Sequence, residues 1–311
     1  MRLLNIGYRK LFGAVGVGIA AALAAPLSAS HLYASDQIVP EKGAAPIVSE
    51  DKPPASTADS LFAAPDIEPK IAQINEEVHG LPDHEWAGTY YCGDGLGWNV
   101  SLHIAPKAGF AYARSGCLGM YDHNFGSVTV SSTGLHITCQ LPNRGIGRER
   151  IPDDFIPVRW GQRHYLVGAD QMLAFCNSIN SGWEPAPSST RGGRSFLFLM
   201  REGDPKTVTG QPQVPAAYQP YLLAHPVQAK ILSREPGKVV NNRLITLAVI
   251  DAGSADGILP GMEFRRKFDP FGPVATVTTT QAHSAEVQIV QFPSQASPPE
   301  IGAELSTKSF R

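Results

Sequence analysis

Residues 86–117 read WAGTYYCGDGLGWNVSLHIAPKAGFAYARSGC, and in them alternating strand patterns are separated by turn residues. Asp94-Gly95, between the first two strand patterns, is a dipeptide typical of tight hairpin turns. From Asn99 to Ile104 apolar and polar residues alternate, as in a strand with one buried face. This stretch therefore predicts antiparallel hairpins.

The same pattern continues to Met200, with strands at near-regular spacing and turn signals between them. One short helix is predicted after Asp170, which is expected to cap it, with Gly182 just past its end. We expect a mainly β fold, in which an antiparallel meander or barrel is followed by a smaller C-terminal β-barrel.

Composition and patterning divide the chain into five parts. Basic residues followed by an apolar run and small residues predict a cleaved signal peptide over residues 1–30, and hence a periplasmic or secreted protein. Residues 31–68 are predicted to form a disordered, acidic, Pro/Ala-rich tether. We then expect a β domain with a leading short helix over 69–204, a Pro-rich connector over 205–226 and the small barrel over 227–311.

The leader pattern has one alternative, a retained N-terminal anchor. Its apolar run is shorter than the roughly 20 residues that span a bilayer. No other segment is apolar over a sufficient length, so we expect no transmembrane span in the mature chain. The 26 basic and 28 acidic residues nearly balance, which gives no electrostatic reason to expect nucleic acid as a partner.

The chain has four cysteines, all within one stretch of the predicted first β domain. In an exported protein an even number predicts two disulfides, with three pairings left open. No pair has the C-x2-C spacing of metal sites, so neither a metal nor another cofactor is expected. The candidates are Cys92, Cys117, Cys139 and Cys176.

Three residues near a predicted hairpin are candidates for binding a ligand. Alternation places Arg159 opposite the apolar face of Val158 and Trp160, and His164 follows across the Gly161-Gln162 turn. In a barrel, an arginine and a histidine that line a pocket with Trp160 nearby would suit an anionic ligand. The alternative is a solvated strand face.

Two loops carry acidic residues that could act in chemistry. Asp94 could bind a cation or act as a base, although a hairpin turn prefers Asp on its own account. Asp122 and His123, in the sequence MYDHNFG, could form an acid–base pair, whereas a loop tip is the alternative. Motifs of phosphate loops, nucleophile elbows and zinc proteases do not occur, so we lean towards a protein that is not an enzyme.

Several motifs resemble an uncharacterised family of exported bacterial proteins over about residues 85–223. They are YYCGDGLG, GCLGMYD and PVRWGQRHYL, and the family implies no particular chemistry. The opening W-x-G-x-Y is also similar to the first strand of lipocalin-like barrels.

The C-terminal stretch ITLAVIDAGSADGILPGMEF resembles small β-barrel modules of envelope assembly proteins. Examples are flagellar assembly protein T and the periplasmic part of rod-shape-determining protein C, and the resemblance implies protein contact. The leading hypothesis is therefore a non-enzymatic binding or assembly module with an envelope protein or polymer as partner. A lipocalin-like carrier of a small ligand and a hydrolase using Asp122 and His123 are the alternatives. The oligomeric state stays open.

Overall fold

The structure is a computed structural model that describes residues 67–143, 151–185, 198–266, 272–292 and 299–309. The predicted leader and nearly all of the predicted tether lie outside the described residues. The described chain is mainly β, and it contains one closed antiparallel barrel and a second, nearly closed sheet. The predicted fold class is therefore confirmed.

Eight strands form the first barrel, and each pairs antiparallel with the next. The last strand returns to the first, with Tyr90 opposite Arg201, so the barrel closes without a free edge. Strands β1 to β8 are Gly88–Gly93, Asn99–Ala105, Gly109–Gly116, Gly119–Ser131, Gly134–Cys139, Asp154–Trp160, Arg163–Gly168 and Phe198–Arg201.

Alternation along the strands fills the inside of this barrel with large apolar side chains. Val100, Leu102 and Ile104 are fully buried, as the pattern of Asn99–Ile104 predicted, and so is Phe110 on β3. Tyr90 also points inwards, and its hydroxyl donates to the Trp86 carbonyl at 2.9 Å. The barrel interior is therefore a packed core.

Helix α1, Ile67–His79, covers the outer face of β2 and β3. Ile74 is fully buried in a cluster with Ala111, and Glu77 accepts a backbone hydrogen bond from Ala108 at 2.6 Å. The helix begins before Pro69, where the sequence pattern predicted its start. Pro69 then lies in the first turn, in which its missing N–H is not needed.

Helix α2, Met172–Asn180, packs outside the barrel wall against β7 and β8. Phe175 meets Tyr165 and Phe198 edge-on, with ring centroids 5.4 and 5.3 Å apart. The predicted cap was wrong, because Asp170 lies in a short 3-10 turn and the helix has no side-chain cap. Neither described helix is long and apolar enough to cross a membrane.

The C-terminal part, after the connector, forms a sheet in the order β12-β13-β14-β11-β9-β15, with β10 paired to β11. Arg265 and Ser306 form an antiparallel bridge between the two outer ends of this sheet, which nearly closes it. Ile231, Ile250 and Phe264 lie in its core. Strands β9 to β15 are Gln228–Arg234, Lys238–Val240, Arg243–Ile250, Glu263–Phe264, Val274–Thr280, Ala285–Gln291 and Glu304–Ser306.

Helix α2 connects the first barrel to this sheet. The Asn177 side chain donates to the Gly261 carbonyl at 2.9 Å, and the Ser309 amide donates to the Ser181 carbonyl at 3.1 Å. Gly261 has a positive φ of 89°, and a Cβ there would lie 2.5 Å from Leu173. Close contact at this position therefore requires glycine.

Candidate ligand-binding site

A pocket of about 810 Å³ opens at the end of the first barrel where β6 and β8 end and β7 begins. We call this end the Arg159 mouth. Positively and negatively charged side chains both line the pocket. Its bases are Arg159, His164 and Arg201, and its acids are Asp83, Glu85 and Asp204.

Asp204, in the first turn after β8, is the centre of the hydrogen bonding in this pocket. Its carboxylate accepts from the His164 amide at 2.6 Å and from His164 Nδ1 at 3.0 Å. It also accepts from Arg201 Nε at 3.1 Å. The side chain of Asp204 is 9% exposed, so these bonds replace most of its contact with water.

The electrostatics of Asp204 follow from these contacts. Burial alone would raise the pKa of its carboxyl group, since burial disfavours a charged group. The hydrogen bonds from His164 and the charge of Arg201 outweigh burial, and they hold the pKa below its ordinary value. Asp204 is therefore a fixed negative charge within the pocket wall.

This carboxylate also sets the tautomer of a neutral His164 ring. An ionised carboxylate only accepts hydrogen bonds, so Nδ1 carries the proton and donates it. Nε2 then keeps its lone pair and can accept a hydrogen bond from a ligand. His164 thus becomes an oriented acceptor.

Arg201 joins the barrel wall to the segment that precedes β1. Its Nη1 donates to the His84 carbonyl at 2.8 Å, between the two pocket acids Asp83 and Glu85. A Cβ at Gly88 would lie 2.9 Å from Arg201 Cδ, and φ at Gly88 is positive. Glycine at this position leaves room for the arginine that holds the acidic segment in place.

Arg163 lies on the other face of β7 and fixes the position of Asp204 indirectly. It is fully buried, and its guanidinium donates to the Pro205 carbonyl at 2.9 Å and to the Lys206 carbonyl. It also donates to Glu184 at 2.6 Å. The two residues after Asp204 are therefore anchored from outside the barrel.

The predicted site residues fall in different places. Arg159 and His164 line one pocket, as alternation suggested, and they lie opposite each other on β6 and β7. Trp160 points away from them into the core under α2, where its Nε1 donates to the Gly210 carbonyl at 3.1 Å. The expectation that Trp160 lies near the pocket was therefore wrong, because adjacent strand residues face opposite sides.

Asp94 has a local structural role. Its carboxylate accepts the backbone amides of Leu96, Gly97 and Trp98 at 2.9, 2.8 and 3.1 Å. These bonds lower the pKa of the carboxyl, with the Trp98 amide as the largest cause. Asp94 therefore stabilises the turn between β1 and β2.

Asp122 and His123 lie within the 13-residue strand β4, so the alternative of a loop tip was wrong. Asp122 is opposite Arg114, and His123 is opposite Ala113. Neighbouring side chains on a strand project from opposite faces, so Asp122 faces the barrel interior and His123 faces outwards. The structure does not bring the two into one pocket.

All four cysteines lie in the described residues, and the structure joins no two of them in a disulfide. Cys92 and Cys139 pack against the core inside the barrel, whereas Cys176 belongs to α2 and is buried outside the barrel wall. Cys117 is exposed in the turn between β3 and β4. The barrel wall separates Cys176 from Cys92 and Cys139, so this arrangement does not favour two disulfides. Their formation stays a prediction.

Sequence reasoning missed Asp204, Arg201 and Arg163. Arg201 is the last residue of a strand pattern, and Asp204 lies in a turn-like Gly-Asp-Pro run. Neither carries a motif, and only the pairing of β8 with β7 brings them next to His164. Among the described residues, no group of three or more His, Cys, Asp and Glu side chains could hold a metal.

Comparisons with protein-family models, with curated protein sequences and with solved structures found no significant match to the chain.

Proposed function

We propose that this chain is a binding protein that holds a small zwitterionic molecule, of amino-acid or short-peptide size, in the Arg159 mouth. This proposal rests on one observation, namely that a pocket of about 810 Å³ combines a fixed charged centre with further positively and negatively charged side chains. A ligand of this kind needs one group to receive its carboxylate and another to receive its ammonium.

The fixed centre consists of His164, Asp204 and Arg201. Their mutual hydrogen bonds hold them in place, with side-chain exposures of 11%, 9% and 15%. A site whose groups are already oriented loses little conformational entropy when it binds a ligand. This centre supplies the acceptor at His164 Nε2.

The other charged side chains of the pocket, Arg159, Asp83 and Glu85, are exposed and make few contacts with the described protein. Arg159 is exposed and donates from Nε to the Gly161 carbonyl at 2.9 Å, and the described residues supply no further partner for its guanidinium. The exposed carboxylates of Asp83 and Glu85 likewise meet no hydrogen-bond partner in the described parts of the chain. Arg159 would receive the ligand's carboxylate, and the two acids would receive its ammonium.

Binding fits this pocket better than covalent catalysis. Its described lining contains no serine, threonine or cysteine that His164 could activate. The barrel interior is packed with side chains such as Leu102 and Phe110, so we place the ligand at the mouth. This differs from the interior cavity of a lipocalin-like carrier.

Calorimetric titration with free amino acids and dipeptides tests the proposal. Matched monocarboxylates and monoamines, each lacking one charge, serve as comparison ligands. We expect saturable binding of at least one zwitterion and weaker binding of its one-charge analogues. Arg159→Met and Glu85→Gln should each weaken binding roughly tenfold, the effect of one charge-assisted contact.

Arg234→Met, on the exposed face of β9, is the matched control and should leave affinity unchanged. Failure of the whole panel to bind, or equal affinities for wild type and Arg159→Met, would contradict the proposal.

A second candidate function is contact with an envelope protein through the C-terminal barrel. Buried Thr246, Ala248 and Ile250 form the inner face of β11, so Leu247 projects outwards and is 47% exposed. Leu232, on the neighbouring strand β9, is 52% exposed. Exposed apolar side chains grouped on one face are typical of protein contacts. The resemblance of residues 245–264 to envelope assembly modules and the predicted leader support the same partner class.

Crosslinking in intact cells tests this second candidate. We expect a specific envelope protein to be captured by a photoreactive residue placed at Leu247, and capture to be lost in a Leu232→Asp background. The same photoreactive residue at Thr278, an exposed position on β13, is the control. Equal capture from both positions, or no capture from Leu247, would contradict it.

A further inference from the structure

The opposite end of the first barrel, where β1 and β3 end and β4 begins, contains a second group of polar side chains. We call it the Arg114 mouth. Arg114 follows the buried residues Phe110 and Tyr112 at alternate positions of β3, so its side chain also enters the barrel. Its neighbours across the sheet are Val100 and Asp122.

Two of the three guanidinium nitrogens of Arg114 lack hydrogen-bond partners. Its Nε and Nη1 are buried, and neither meets a hydrogen-bond acceptor. Within the described residues, no carboxylate comes within 4.0 Å of it to form an ion pair. Arginine stays protonated in proteins, so the half-buried Arg114 carries a positive charge, and the donors on its buried Nε and Nη1 are unsatisfied. Such groups are rare, and each one calls for an explanation.

Asp122 lies opposite Arg114 on β4, but the two side chains do not approach within the 4.0 Å of an ion pair. Burial is the largest influence on the Asp122 carboxyl and raises its pKa above the ordinary value. The His123 amide and the charges of His123 and Arg114 act in the opposite direction and are outweighed. The charges of Arg114 and His123 therefore do not offset the cost of burying the Asp122 carboxylate.

The rest of the mouth is half-buried and reaches solvent. Trp98 and the thiols of Cys92 and Cys139 pack against the edge of the barrel core and remain partly exposed. Burial raises the pKa of the Cys139 thiol to about 11, with Asp153 and Asp122 adding to the effect, so this thiol does not supply a negative charge near neutral pH. Apart from Asp122, the surroundings of Arg114 therefore offer an apolar aromatic face and a thiol that is neutral near pH 7.

We propose that the Arg114 mouth is a second binding site, which takes a small monocarboxylate with an apolar group. The guanidinium receives the carboxylate, and the apolar group lies against Trp98. A monoanion is favoured over a phosphate dianion, because Asp122 would repel a second negative charge. This site does not depend on the function proposed for the Arg159 mouth.

Titration with sodium benzoate, followed by NMR at the side-chain Nε–H of Arg114, tests the proposal. Inorganic phosphate at equal ionic strength is the comparison probe. We expect benzoate to shift this resonance saturably and phosphate to bind more weakly. A resonance that does not respond to benzoate, or responds equally to both anions, would overturn the site.

Variants separate binding from a structural role. Arg114→Met should lower benzoate affinity at least tenfold, measured by calorimetry, whereas Arg234→Met on the exposed face of β9 should leave it unchanged. If Arg114→Met does not fold, Arg114→Lys, which keeps the charge without the planar donors, should still weaken benzoate.

Asp122→Asn gives the sharpest contrast. It removes the competing carboxyl, so we expect benzoate to bind several-fold more tightly. If Arg114 and Asp122 instead serve only to stabilise the barrel, the variant lowers the unfolding temperature and leaves benzoate affinity as it was. That result would overturn the proposal.

Discussion

Asp204 is bonded twice to His164, through the backbone amide at 2.6 Å and through the ring Nδ1 at 3.0 Å. The two bonds fix both the turn after β8 and the orientation of the imidazole. They connect the folding of the barrel to the chemistry of its mouth, so changes at either residue have consequences for both.

Asp204→Asn should lower the free energy of unfolding by about 1–3 kcal/mol at neutral pH, because a buried network loses its charged acceptor. The pKa of Asp204 is lowered in the folded state. Its contribution is therefore present above the unfolded-state pKa and is lost as pH falls through the folded-state pKa. Urea unfolding as a function of pH measures the effect.

The variant should lose less stability on acidification than the wild type does. Asp170→Asn, at an exposed position, is the control and should follow the wild type. Parallel pH profiles for Asp204→Asn and wild type would contradict the proposed role of this carboxylate.

Arg163→Met should destabilise the protein by about 3 kcal/mol, because it removes a buried charge that satisfies two backbone carbonyls and Glu184. Binding at the Arg159 mouth should weaken too, since the position of Asp204 depends on Pro205 and Lys206. Denaturant unfolding and calorimetric titration measure the two effects.

Glu184→Gln is the matched control for this prediction. The Glu184 side chain is 40% exposed and can be hydrated, so its loss should cost less stability and leave binding nearly intact. Equal losses for the two variants would show that the carbonyl contacts of Arg163 are unimportant.

The cysteines should differ widely in reactivity under native conditions. Burial raises the pKa of the Cys176 thiol to about 12, and this side chain is fully enclosed, whereas Cys117 is exposed. Alkylation followed by peptide mass spectrometry at pH 8 should modify Cys117 first and Cys176 only after unfolding.

Labelling of Cys176 as fast as Cys117 would contradict its burial on the inner face of α2. A mass that shows two disulfides in the native chain would contradict the described arrangement of the four thiols and favour the pairing predicted from their number.

Asn177→Ala should weaken the contact between the first barrel and the C-terminal barrel. The Asn177 side chain is nearly buried and donates to the Gly261 carbonyl, which would be left without this donor. We expect a loss of about 1–2 kcal/mol. Calorimetry should show the unfolding transition becoming broader or splitting in two. Exposed Ser254→Ala is the control, and an unchanged transition in Asn177→Ala would contradict the coupling.

Sequence reasoning predicted the structure correctly where apolar and polar residues alternate along a strand. Alternation from Asn99 to Ile104 predicted the inner face of β2, and the Gly161-Gln162 turn correctly placed Arg159 and His164 on adjacent strands. These inferences need only local geometry and the period of two along a strand.

The errors have a common physical cause, which is that tertiary pairing overrides local preference. Asp122 and Asn124 favour turns, but hydrogen bonding to β3 holds the segment 122–124 in a long strand. Asp204 could not be assigned to the site because its position depends on a turn fixed by Arg163, whose partners lie about 20 and 40 residues away in the sequence.

The most direct test of the proposed function is an NMR titration of the whole chain with the zwitterion that binds best in calorimetry. We predict that the shifted resonances cluster on the segments 83–85, 159–164 and 201–205, which supply most of the side chains that line the Arg159 mouth. Shifts confined to the C-terminal barrel, or the absence of any saturable shift, would contradict the account.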